Sequence, residues 1–460
     1  MVALAGYPVG DAIQDSFRII IKTNILTHMK ILKFGGTSVG SAARMKAVAE
    51  LITDGEHKIV VLSAMSGSTN HLIQIAEYIR LGNANGATDM LEQLEMKYRT
   101  ECADLSIDYA VLQPLFAALR KLCLAPYSPQ TDKDVVSFGE LLSTTMMATY
   151  MAQSGYDVAL MPALSYMRIN ADGEPDMQTT ERLLREQLAQ YDSHLYIITQ
   201  GFICRNAEGQ VDNLKRGGSD YTASIVGALL DAQEIQIWTD IDGMHNNDPR
   251  FVQGTQPVRQ LSFDEAAELA YFGAKILHPT CILPAKMHNV PVRLLNTMKP
   301  SAPGTLIDNT TVQHTVKAVA AKDGIYAVRV QSDRMLMAYG FLSRVFAIFE
   351  KYRTAIDLIT TSEVAVSMSV DNNSQLEAIT AELRTFGTVY IEPDMSIISV
   401  VGDLRSDNRG IESLVIQALK EIPIRMISYG GSEHNISLLV SSEDKVRALQ
   451  ALHTALFPKS

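Results

Sequence analysis

Several common sequence signatures are missing from this chain of 460 residues. The pattern GxxxxGK[ST] does not occur, and neither does any G-x-G. These absences exclude the P-loop, the dinucleotide-binding fingerprint and the protein-kinase glycine loop. No apolar run approaches the roughly 18 residues needed to cross a bilayer, so we do not expect a membrane protein. The N-terminus also lacks the basic and apolar regions of a secretory signal.

Cysteine and positive charge are also scarce. The four cysteines form no CxxC pair and have no histidine at zinc-binding spacing. This pattern favours buried, reduced thiols in the cytoplasm over a disulfide framework or a structural zinc site. Lys and Arg number 40 against 51 Asp and Glu, a net charge of −11, which argues against broad nucleic-acid binding. A few locally placed cations must therefore hold any anionic substrate.

The length predicts about three domains. From Lys30 to about Asn296, apolar strand-like runs alternate with helical segments, which predicts a mostly parallel sheet with helices on both faces. The predicted strands are Lys30–Phe34, Lys58–Ser63, Asp157–Met161, Leu195–Thr199, Ile235–Thr239 and Val292–Leu295. The predicted helices are Ser41–Asp54, Glu140–Gln153, Thr179–Gln190, Tyr221–Asp231 and Asp264–Lys275. Ser262 and Glu265 are spaced as a capping box for the last helix.

The C-terminal third contains an internal repeat with an offset of 70 residues. Ile325–Val330 corresponds to Met395–Val400, and Val366–Val370 corresponds to Ile436–Val440. Each copy has the pattern strand, helix, strand, strand, helix, which is the core of a ferredoxin-like βαββαβ module. We therefore predict a pair of small folded modules after the α/β domain.

Two glycine-containing turns adjoin predicted helices. Lys33-Phe-Gly-Gly-Thr-Ser-Val-Gly40 follows the first strand, and Lys215-Arg-Gly-Gly-Ser-Asp-Tyr-Thr222 opens a helix. Glycines let backbone N–H groups approach phosphate oxygens, and a helix N-terminus adds positive potential. Either turn alone could be an ordinary connection, but two of them in one α/β domain favour an anion site made jointly.

Two further segments carry polar residues near the ends of predicted elements. Thr239 and Asp240 lie at the carboxyl end of a predicted strand in the segment WTDIDGMHNNDPR, at the edge where parallel sheets bind ligands. Lys275 ends a helix in FGAKILHP and could reach a phosphate, although a helix-terminal lysine is also common without a ligand.

Seven motifs resemble, in order, those of the aspartate kinases, which belong to the amino-acid kinase superfamily. They are KFGGTSVG, VLSAMSGSTN, FGELLST, TQGF, RGGSDYTA, WTDIDGMHNNDPR and FGAKILHP. The segments MLMAYGFLSRVFAIF, DLITTSEVAVSMSVD and RMISYGGSEHNISLLV resemble tandem ACT regulatory modules. The resemblance implies a three-layer α/β amino-acid kinase domain, like that of carbamate kinase, followed by two ferredoxin-like ACT domains. The implied segments are an N-terminal extension at 1–28, the catalytic domain at 29–304, and ACT domains at 305–390 and 391–460.

The resemblance also implies a reaction, the transfer of the γ-phosphoryl group of Mg-ATP to the β-carboxylate of L-aspartate. This is the first step of lysine, threonine and methionine biosynthesis. Lys33 and Asp220 match the catalytic positions of the family. The positions for aspartate are matched by Ser63, Thr69, Glu140, Arg216 and Ser219. Among them, Arg216 would hold the α-carboxylate and Glu140 the ammonium, although Glu140 could instead be a solvated first-turn glutamate.

The ATP positions of the family are matched by Gly35, Gly36, Thr37, Ser38, Thr239, Asp240, His245, Arg250 and Lys275. His245 is a departure, because many relatives carry tyrosine there, and an imidazole can still stack or hydrogen-bond. Mg²⁺ would bridge the phosphates with few protein ligands.

The ACT half resembles the lysine-responsive type, in which an effector amino acid binds across an ACT dimer interface. The matching positions are Met335, Gly340, Phe341, Leu342, Ile356, Asp357, Thr361, Ser362 and Glu363. Asp357 would pair with the effector ammonium. The resemblance therefore implies feedback inhibition by lysine or a related amino acid. It also implies a homodimer formed through the ACT domains, and two such dimers could pair into a tetramer.

Two other interpretations remain open. One is another amino-acid kinase, acting on glutamate, acetylglutamate, carbamate or UMP, and the other is a non-catalytic amino-acid sensor. The tandem ACT half favours aspartate as the acceptor, and the intact Lys33, Asp220, Arg216 and Glu140 argue against lost catalysis. A fused homoserine dehydrogenase is not expected, because the chain has no dinucleotide fingerprint.

Overall fold

The computed structural model describes residues 29–215, 217–273, 277–313, 315–331, 339–385, 387–405 and 409–458. The predicted N-terminal extension, residues 1–28, lies outside these ranges. The chain divides into two compact units. The first runs to Gly243 and includes Thr280–Asn309, and the second comprises Met244–Pro279 and the chain from Thr310 onward.

The first unit is built on a mostly parallel sheet. Its strands are β1 Lys30–Phe34, β2 Lys58–Leu62, β3 Val158–Leu160, β4 Tyr196–Gln200, β7 Glu234–Thr239, β9 Val292–Asn296 and β10 Thr305–Asp308, while β5 Ile203–Arg205 and β6 Val211–Asn213 form a separate hairpin. The sheet order includes β3-β4-β2-β1-β7-β9-β10, with β10 antiparallel to β9 and the others parallel to their neighbours. Every residue of β2 and β4 is buried, as expected for interior strands of a parallel sheet. The six predicted strands are confirmed, with ends shifted by at most one residue.

The helices of the first unit are α1 Ala42–Ile52, α2 Ser68–Arg80, α3 Ala84–Leu105, α4 Gln113–Leu124, α5 Pro129–Gln153, α6 Ala163–Tyr166, α7 Met177–Tyr191, α8 Gly218–Leu229 and α10 Pro279–Met287. Helices α1, α7 and α8 confirm three predictions. Helices α2 to α4 occupy a region for which no helix is predicted above. The buried side chains of α3 recur every three or four positions, from Leu91 through Leu94 to Tyr98 and Cys102. This helical periodicity is therefore present in the sequence.

Helix α5 begins at Pro129, well before the predicted start at Glu140. Ser128 and Thr131 form a capping box, and Pro129 occupies the first turn, where its missing N–H costs nothing. Glu140 consequently lies in the middle of the helix, and only 5% of it is exposed. The alternative of a solvated first-turn glutamate is therefore wrong.

The second unit contains a six-stranded antiparallel sheet. Its strands are β11 Val316–Gln331, β12 Ile359–Thr361, β13 Ala365–Val370, β14 Thr388–Gly402, β15 Met426–Ser428 and β16 Asn435–Ser441, in the order β12-β13-β11-β14-β16-β15. Ile325 pairs with Met395, the residue that the repeat makes its equivalent. The pairs Ala318–Val401 and Gln331–Thr388 are likewise exchanged by the 70-residue offset. The repeat is therefore a two-fold symmetry of the sheet, with its axis near Ile325 and Met395.

Each copy of the repeat has its own hydrophobic core. The helices are α11 Phe341–Lys351, α12 Leu376–Leu383, α13 Ile411–Ala418 and α14 Lys445–Leu456. Val345 and Ile379 belong to one core, and Val415 and Leu449 belong to the other. The two predicted modules are thus present. The first half of β11 pairs with the second half of β14, so each of these two long strands contributes to both modules.

Residues 244–279 belong to the second unit, although the sequence motifs predict them for the catalytic domain. They contain β8 Gln260–Ser262 and α9 Phe263–Tyr271. The Asn247 side chain donates to the Leu449 carbonyl at 3.0 Å. Such polar contacts attach this segment to the C-terminal modules. The domain boundaries at 304 and 390 stay predictions.

Helix α9 begins with the predicted capping box. The Glu265 N–H donates to the Ser262 hydroxyl at 3.2 Å, and the Ser262 N–H donates to the Glu265 carboxylate at 2.7 Å. The helix ends at Tyr271 rather than at the predicted Lys275, which lies outside the described residues. Gly273 follows closely, and its φ of 125° is a backbone conformation that continues no helix.

All four cysteines are buried, as expected. Burial raises the pKa of the Cys102 thiol to about 11 and that of Cys204 to about 12, so both stay protonated and unreactive near neutral pH. Among the described helices, none is both long and apolar enough to cross a membrane.

Candidate active site

The predicted catalytic residues meet at the carboxyl edge of the parallel sheet. Because β4, β2 and β1 are neighbours, the segments that follow them leave the sheet side by side. Together with the start of α8, these segments enclose a cavity of about 460 Å³. Eight of the predicted residues line it: Lys33, Gly36, Thr37, Ser63, Thr69, Glu140, Ser219 and Asp220.

An ion pair joins the two glycine turns across this cavity. Lys33 Nζ on β1 lies 2.6 Å from Asp220 Oδ1, and the two side chains are only 11% and 14% exposed. Asp220 lies in the first turn of α8, which follows Gly217 in the left-handed conformation at φ 72°. A carboxylate is favoured there by the helix dipole, and partial burial strengthens its attraction to the ammonium. The two turns therefore form one site, as the sequence predicts.

Gly36 allows the first turn to approach the loop after β2. A Cβ atom on Gly36 would lie 2.7 Å from the Ala64 carbonyl oxygen, so a side chain cannot be accommodated without moving the backbone. The Ser66 N–H donates to the Gly36 carbonyl at 3.1 Å, which fixes the two segments together. Glycine is thus required by close packing at this position, and the packing shapes one wall of the cavity.

Gly35 and Ser38 stabilise the first turn from behind the cavity. The Ser38 N–H donates to the Gly35 carbonyl at 2.9 Å. The buried Ser38 hydroxyl lies 2.8 Å from the Thr297 hydroxyl. Neither Gly35 nor Ser38 lines the cavity. These contacts give both residues a structural role in the turn.

Glu140 brings a buried carboxyl group to the cavity. Its Oε1 accepts a hydrogen bond from the Ala64 N–H at 3.1 Å. Burial raises the pKa of Glu140 to about 8, despite the opposite effects of that N–H and of the Lys33 charge. The carboxyl is consequently mostly protonated at pH 7 in the unliganded protein. A cation that entered the cavity would favour its ionised form.

The hydroxyl residues predicted for substrate binding surround these charges. Thr69 lies in the first turn of α2, which follows Gly67 at φ 80°. The Ser63 carbonyl accepts a hydrogen bond from the Ser143 hydroxyl at 2.8 Å, which ties the loop to α5. A Cβ atom on Gly201 would lie 2.5 Å from the Ser219 side chain, so Gly201 leaves the space that Ser219 occupies.

Several cavity residues are absent from the predicted set. Lys215 and Phe202 line the cavity, and both have a left-handed backbone, with φ of 60° and 67°. Met65 and Ser66 line it as well. All four lie within or beside the motifs quoted above, so their proximity in sequence was the available signal. The left-handed backbone geometry that places Lys215 and Phe202 at the cavity could not be predicted from the sequence.

The residues predicted to bind ATP are divided between the two units. Thr239 ends β7 in the first unit, and its hydroxyl donates to the carboxylate of the next residue, Asp240, at 3.2 Å. His245 lies in the second unit, where its Nδ1 is 3.2 Å from the Thr255 hydroxyl. Arg250, also in the second unit, is 67% exposed, and its guanidinium lies 2.6 Å from Asp248.

Three predicted site residues, Arg216, Lys275 and Met335, lie outside the described residues. Within the described ranges, no group of three or more His, Cys, Asp or Glu is placed to hold a metal ion. Asp220 is nevertheless an oxygen donor of the type that Mg²⁺ prefers, close to a glycine turn. This donor set fits a cation held mainly by nucleotide phosphates.

Apart from Met335, the predicted effector residues lie in the first ACT-like module. Gly340, at φ 78°, precedes α11, Phe341 is buried, and Leu342 and Ile356 pack against the same core. Thr361 is the last residue of β12, and Ser362 and Glu363 lie in the connection to β13. The Ser362 N–H donates to the Ala365 carbonyl at 2.8 Å.

Asp357 is already paired within the second unit. Its carboxylate accepts from Lys322 Nζ at 2.8 Å and from the Tyr271 hydroxyl at 2.7 Å, and its side chain is 2% exposed. Lys322 also lies 2.9 Å from Asp371. Burial opposes ionisation of Lys322, but its hydrogen bonds to the two carboxylates prevail and raise its pKa. The ammonium partner predicted for Asp357 is therefore supplied here by the chain itself.

Comparison with protein families places this site in a known class. Residues 28–296 match the amino acid kinase family, and residues 398–456 match an ACT domain. The chain therefore belongs to the amino acid kinase family, and its fold is the predicted α/β kinase domain followed by an ACT region.

Individual relatives narrow the assignment. The chain is 32% identical to the lysine-sensitive aspartokinase 3 of Escherichia coli (strain K12), over 94% of this chain and 100% of that protein. A crystal structure of E. coli aspartokinase III in complex with aspartate and ADP matches with a TM-score of 0.83 at 33% identity, covering 94% and 100% of the two chains. A lysine and aspartate complex of that protein matches with a TM-score of 0.75 at 33% identity, covering 93% and 99%. Within the amino acid kinase family, the chain belongs to the aspartokinases.

The raised pKa of Glu140 predicts a pH-dependent effect of the substitution Glu140→Gln. Unfolded glutamate loses its proton near pH 4.5, whereas folded Glu140 keeps it to about pH 8. The free energy of unfolding of the wild type therefore falls as the pH rises between these values. Glutamine cannot ionise, so Glu140→Gln should raise the temperature of thermal unfolding by about 10 °C at pH 8.5 but by only about 2 °C at pH 5.

The matched control for this measurement is Glu208→Gln, which changes an exposed glutamate of the same unit. It should alter the unfolding temperature equally little at both pH values. An effect of Glu140→Gln that did not grow with pH would show that the buried carboxyl is not held neutral.

Proposed function

We propose that this aspartokinase transfers the γ-phosphoryl group of ATP to the β-carboxylate of L-aspartate, forming 4-phospho-L-aspartate and ADP. One observation carries the proposal: a single cavity combines the Lys33–Asp220 ion pair with the buried carboxyl of Glu140. Such a cavity offers a cation for transferred phosphoryl charge and an acid group for a substrate amine. Both features are needed for an acceptor that is an amino acid.

The reaction needs positioning and charge stabilisation rather than a base. The β-carboxylate of aspartate, with a pKa near 4, is already ionised at neutral pH, so no proton has to be removed from the nucleophile. Lys33 would stabilise the negative charge on the moving phosphoryl group. Asp220, paired with Lys33 at 2.6 Å, would hold the ammonium in orientation. Asp220 therefore acts as a positioning group and accepts no proton from the substrate.

Glu140 would bind the α-ammonium of aspartate. A mostly neutral carboxyl attracts an ammonium weakly, but the approaching cation lowers the pKa of Glu140 from its raised value of about 8. Binding is then accompanied by release of the Glu140 proton, and the resulting ion pair involves a carboxylate that is only 5% exposed. Ser63, Thr69 and Ser219 supply hydroxyl groups around the substrate. Arg216 completes the set on the α-carboxylate, an assignment that rests on the RGGSDYTA motif.

The nucleotide would bind beside this cavity. Gly36 and Thr37 line the cavity and can face phosphate, while Gly35 and Ser38 shape the turn. We assign Thr239, Asp240, His245, Arg250 and Lys275 to the nucleotide on the basis of their motifs. Mg²⁺, which Asp220 could help to hold, would neutralise part of the phosphate charge when bound. We further propose a cytoplasmic location, which the buried thiols support, and a homodimer formed through the ACT domains.

Product trapping tests the proposed reaction. With Mg-ATP, L-aspartate and hydroxylamine, the protein should release ADP and form aspartyl hydroxamate, because an acyl phosphate reacts with hydroxylamine. Lys33→Met should lower the rate by about 10²–10³-fold, since transition-state charge loses its cation. Lys121→Met, at an exposed lysine of the first unit, should leave the rate unchanged.

Two results, one from this assay and one from binding measurements, would contradict the proposal. Turnover on glutamate, acetylglutamate, carbamate or UMP without turnover on aspartate would identify another amino-acid kinase. Binding of lysine together with no detectable binding of Mg-ATP would identify a non-catalytic sensor.

We also propose that lysine, or a related amino acid, inhibits the enzyme through Asp357. The lysine complex of the E. coli relative supports this effector. Because Lys322 already occupies the Asp357 carboxylate, an effector ammonium has to displace the Lys322 ammonium. That displacement would also disturb the hydrogen bond from Tyr271, the last residue of α9. Inhibition would follow if the effector favoured an inactive arrangement over the active one.

Substitutions at this cluster have opposite predicted effects on lysine inhibition. Asp357→Asn should raise the inhibitory lysine concentration by about tenfold or more, since the carboxylate that pairs with ammonium is lost. Lys322→Met should lower it, because the internal competitor is removed. Lys420→Met, at an exposed lysine of the same unit, serves as the control. Unchanged inhibition in Asp357→Asn would refute this effector site.

A further inference from the structure

Lys215 is a charged residue of the cavity to which no role has been assigned above. Its side chain is exposed and lines the cavity together with Lys33, Glu140 and Asp220. These four are the charged residues among the described cavity lining. Lys33 and Asp220 neutralise each other at 2.6 Å. Lys215 forms no ion pair with any carboxylate in the described part of the chain, so its charge is available to a ligand.

The backbone holds Lys215 in a conformation that lysine rarely adopts. Its φ is 60°, in the left-handed region. The Lys215 N–H donates to Asn213 Oδ1 at 3.1 Å, and its carbonyl accepts from the Gly218 N–H at 3.2 Å, immediately before α8. A non-glycine residue there costs about 1 kcal/mol, and such strain is concentrated at functional sites. Glycine would fill this backbone position without that cost.

Neighbouring backbone leaves room for the lysine side chain. A Cβ atom on Gly173 would come within 3.3 Å of Lys215 Nζ. Gly173 itself is left-handed, with φ of 79°. The exposed Lys215 ammonium therefore lies close to the tight turn at Gly173.

We propose that Lys215 is a specificity-determining residue that attracts and holds the amino-acid acceptor, which carries two carboxylates, at the edge of the cavity. This inference rests on the proposed function. The acceptor has to bring two carboxylates into a cavity whose other described ammonium is already paired with Asp220. An exposed cation acts over a longer distance than a buried pair and raises the rate of encounter, and its effect weakens as salt is added.

Lys215→Gly separates this role from a structural one. The change removes the charge and the left-handed strain together, so the unfolding temperature should stay the same or rise. The KM for aspartate at low ionic strength should nevertheless rise by about fivefold, with kcat changed by less than about twofold. Lys215→Met should raise the KM for aspartate similarly, whereas Lys215→Arg, which keeps the positive charge, should have the KM of the wild type. Both uncharged variants should show a flatter dependence of KM on salt than the wild type.

Arg353→Gly is the matched control. Arg353 is an exposed cation with φ of 48° in the second unit, so its replacement also removes charge and strain. Its KM for aspartate should equal that of the wild type. The inference is overturned if KM in the uncharged Lys215 variants stays within about twofold of wild type, or if Arg353→Gly raises it equally. Failure of the proposed function is distinct, because the wild type itself would then not phosphorylate aspartate.

Discussion

A charged side chain that is removed from water needs a partner of opposite charge, and this requirement governs the arrangement of the cavity. Lys33 and Asp220 are both largely buried, and each is stable there because the other lies 2.6 Å away. Glu140 has no such partner, so burial keeps it mostly protonated. In the proposed function, the amino-acid substrate would supply the missing ammonium, and its carboxylates would bind the cations at the cavity. Selection of a zwitterionic acceptor would then follow from the charges that lack a partner within the protein.

The same constraint organises the first ACT-like module. The Asp357 carboxylate is almost inaccessible, and Lys322 and Tyr271 satisfy it from within the unit. Any effector that binds Asp357 therefore competes with the chain itself, which sets a threshold concentration for regulation. Because Tyr271 ends α9, the proposed exchange of partners at Asp357 would act directly on a helix whose sequence matches the amino acid kinase family. This contact would be the first step of the proposed regulation.

Much of this architecture could be predicted from local sequence pattern. The apolar runs located the strands, and the 70-residue repeat predicted modules that turn out to be related by symmetry about Ile325 and Met395. Other features depend on tertiary context. The mid-helix position of Glu140 follows from a cap at Ser128, and the raised pKa follows from burial that no local pattern displays. Lys215 was missed because its presentation requires a left-handed backbone and space beside Gly173.

The central claim is that binding of the substrate ammonium makes the buried, protonated Glu140 lose its proton and ionise. Calorimetric titration of L-aspartate in the presence of ADP, at pH 7 in buffers of different ionisation enthalpy, measures this directly. The account predicts release of close to one proton per aspartate bound, because a carboxyl with a pKa of about 8 becomes ionised on binding. Glu140→Gln should abolish that release. Binding of aspartate to the wild type with no proton released would contradict the account.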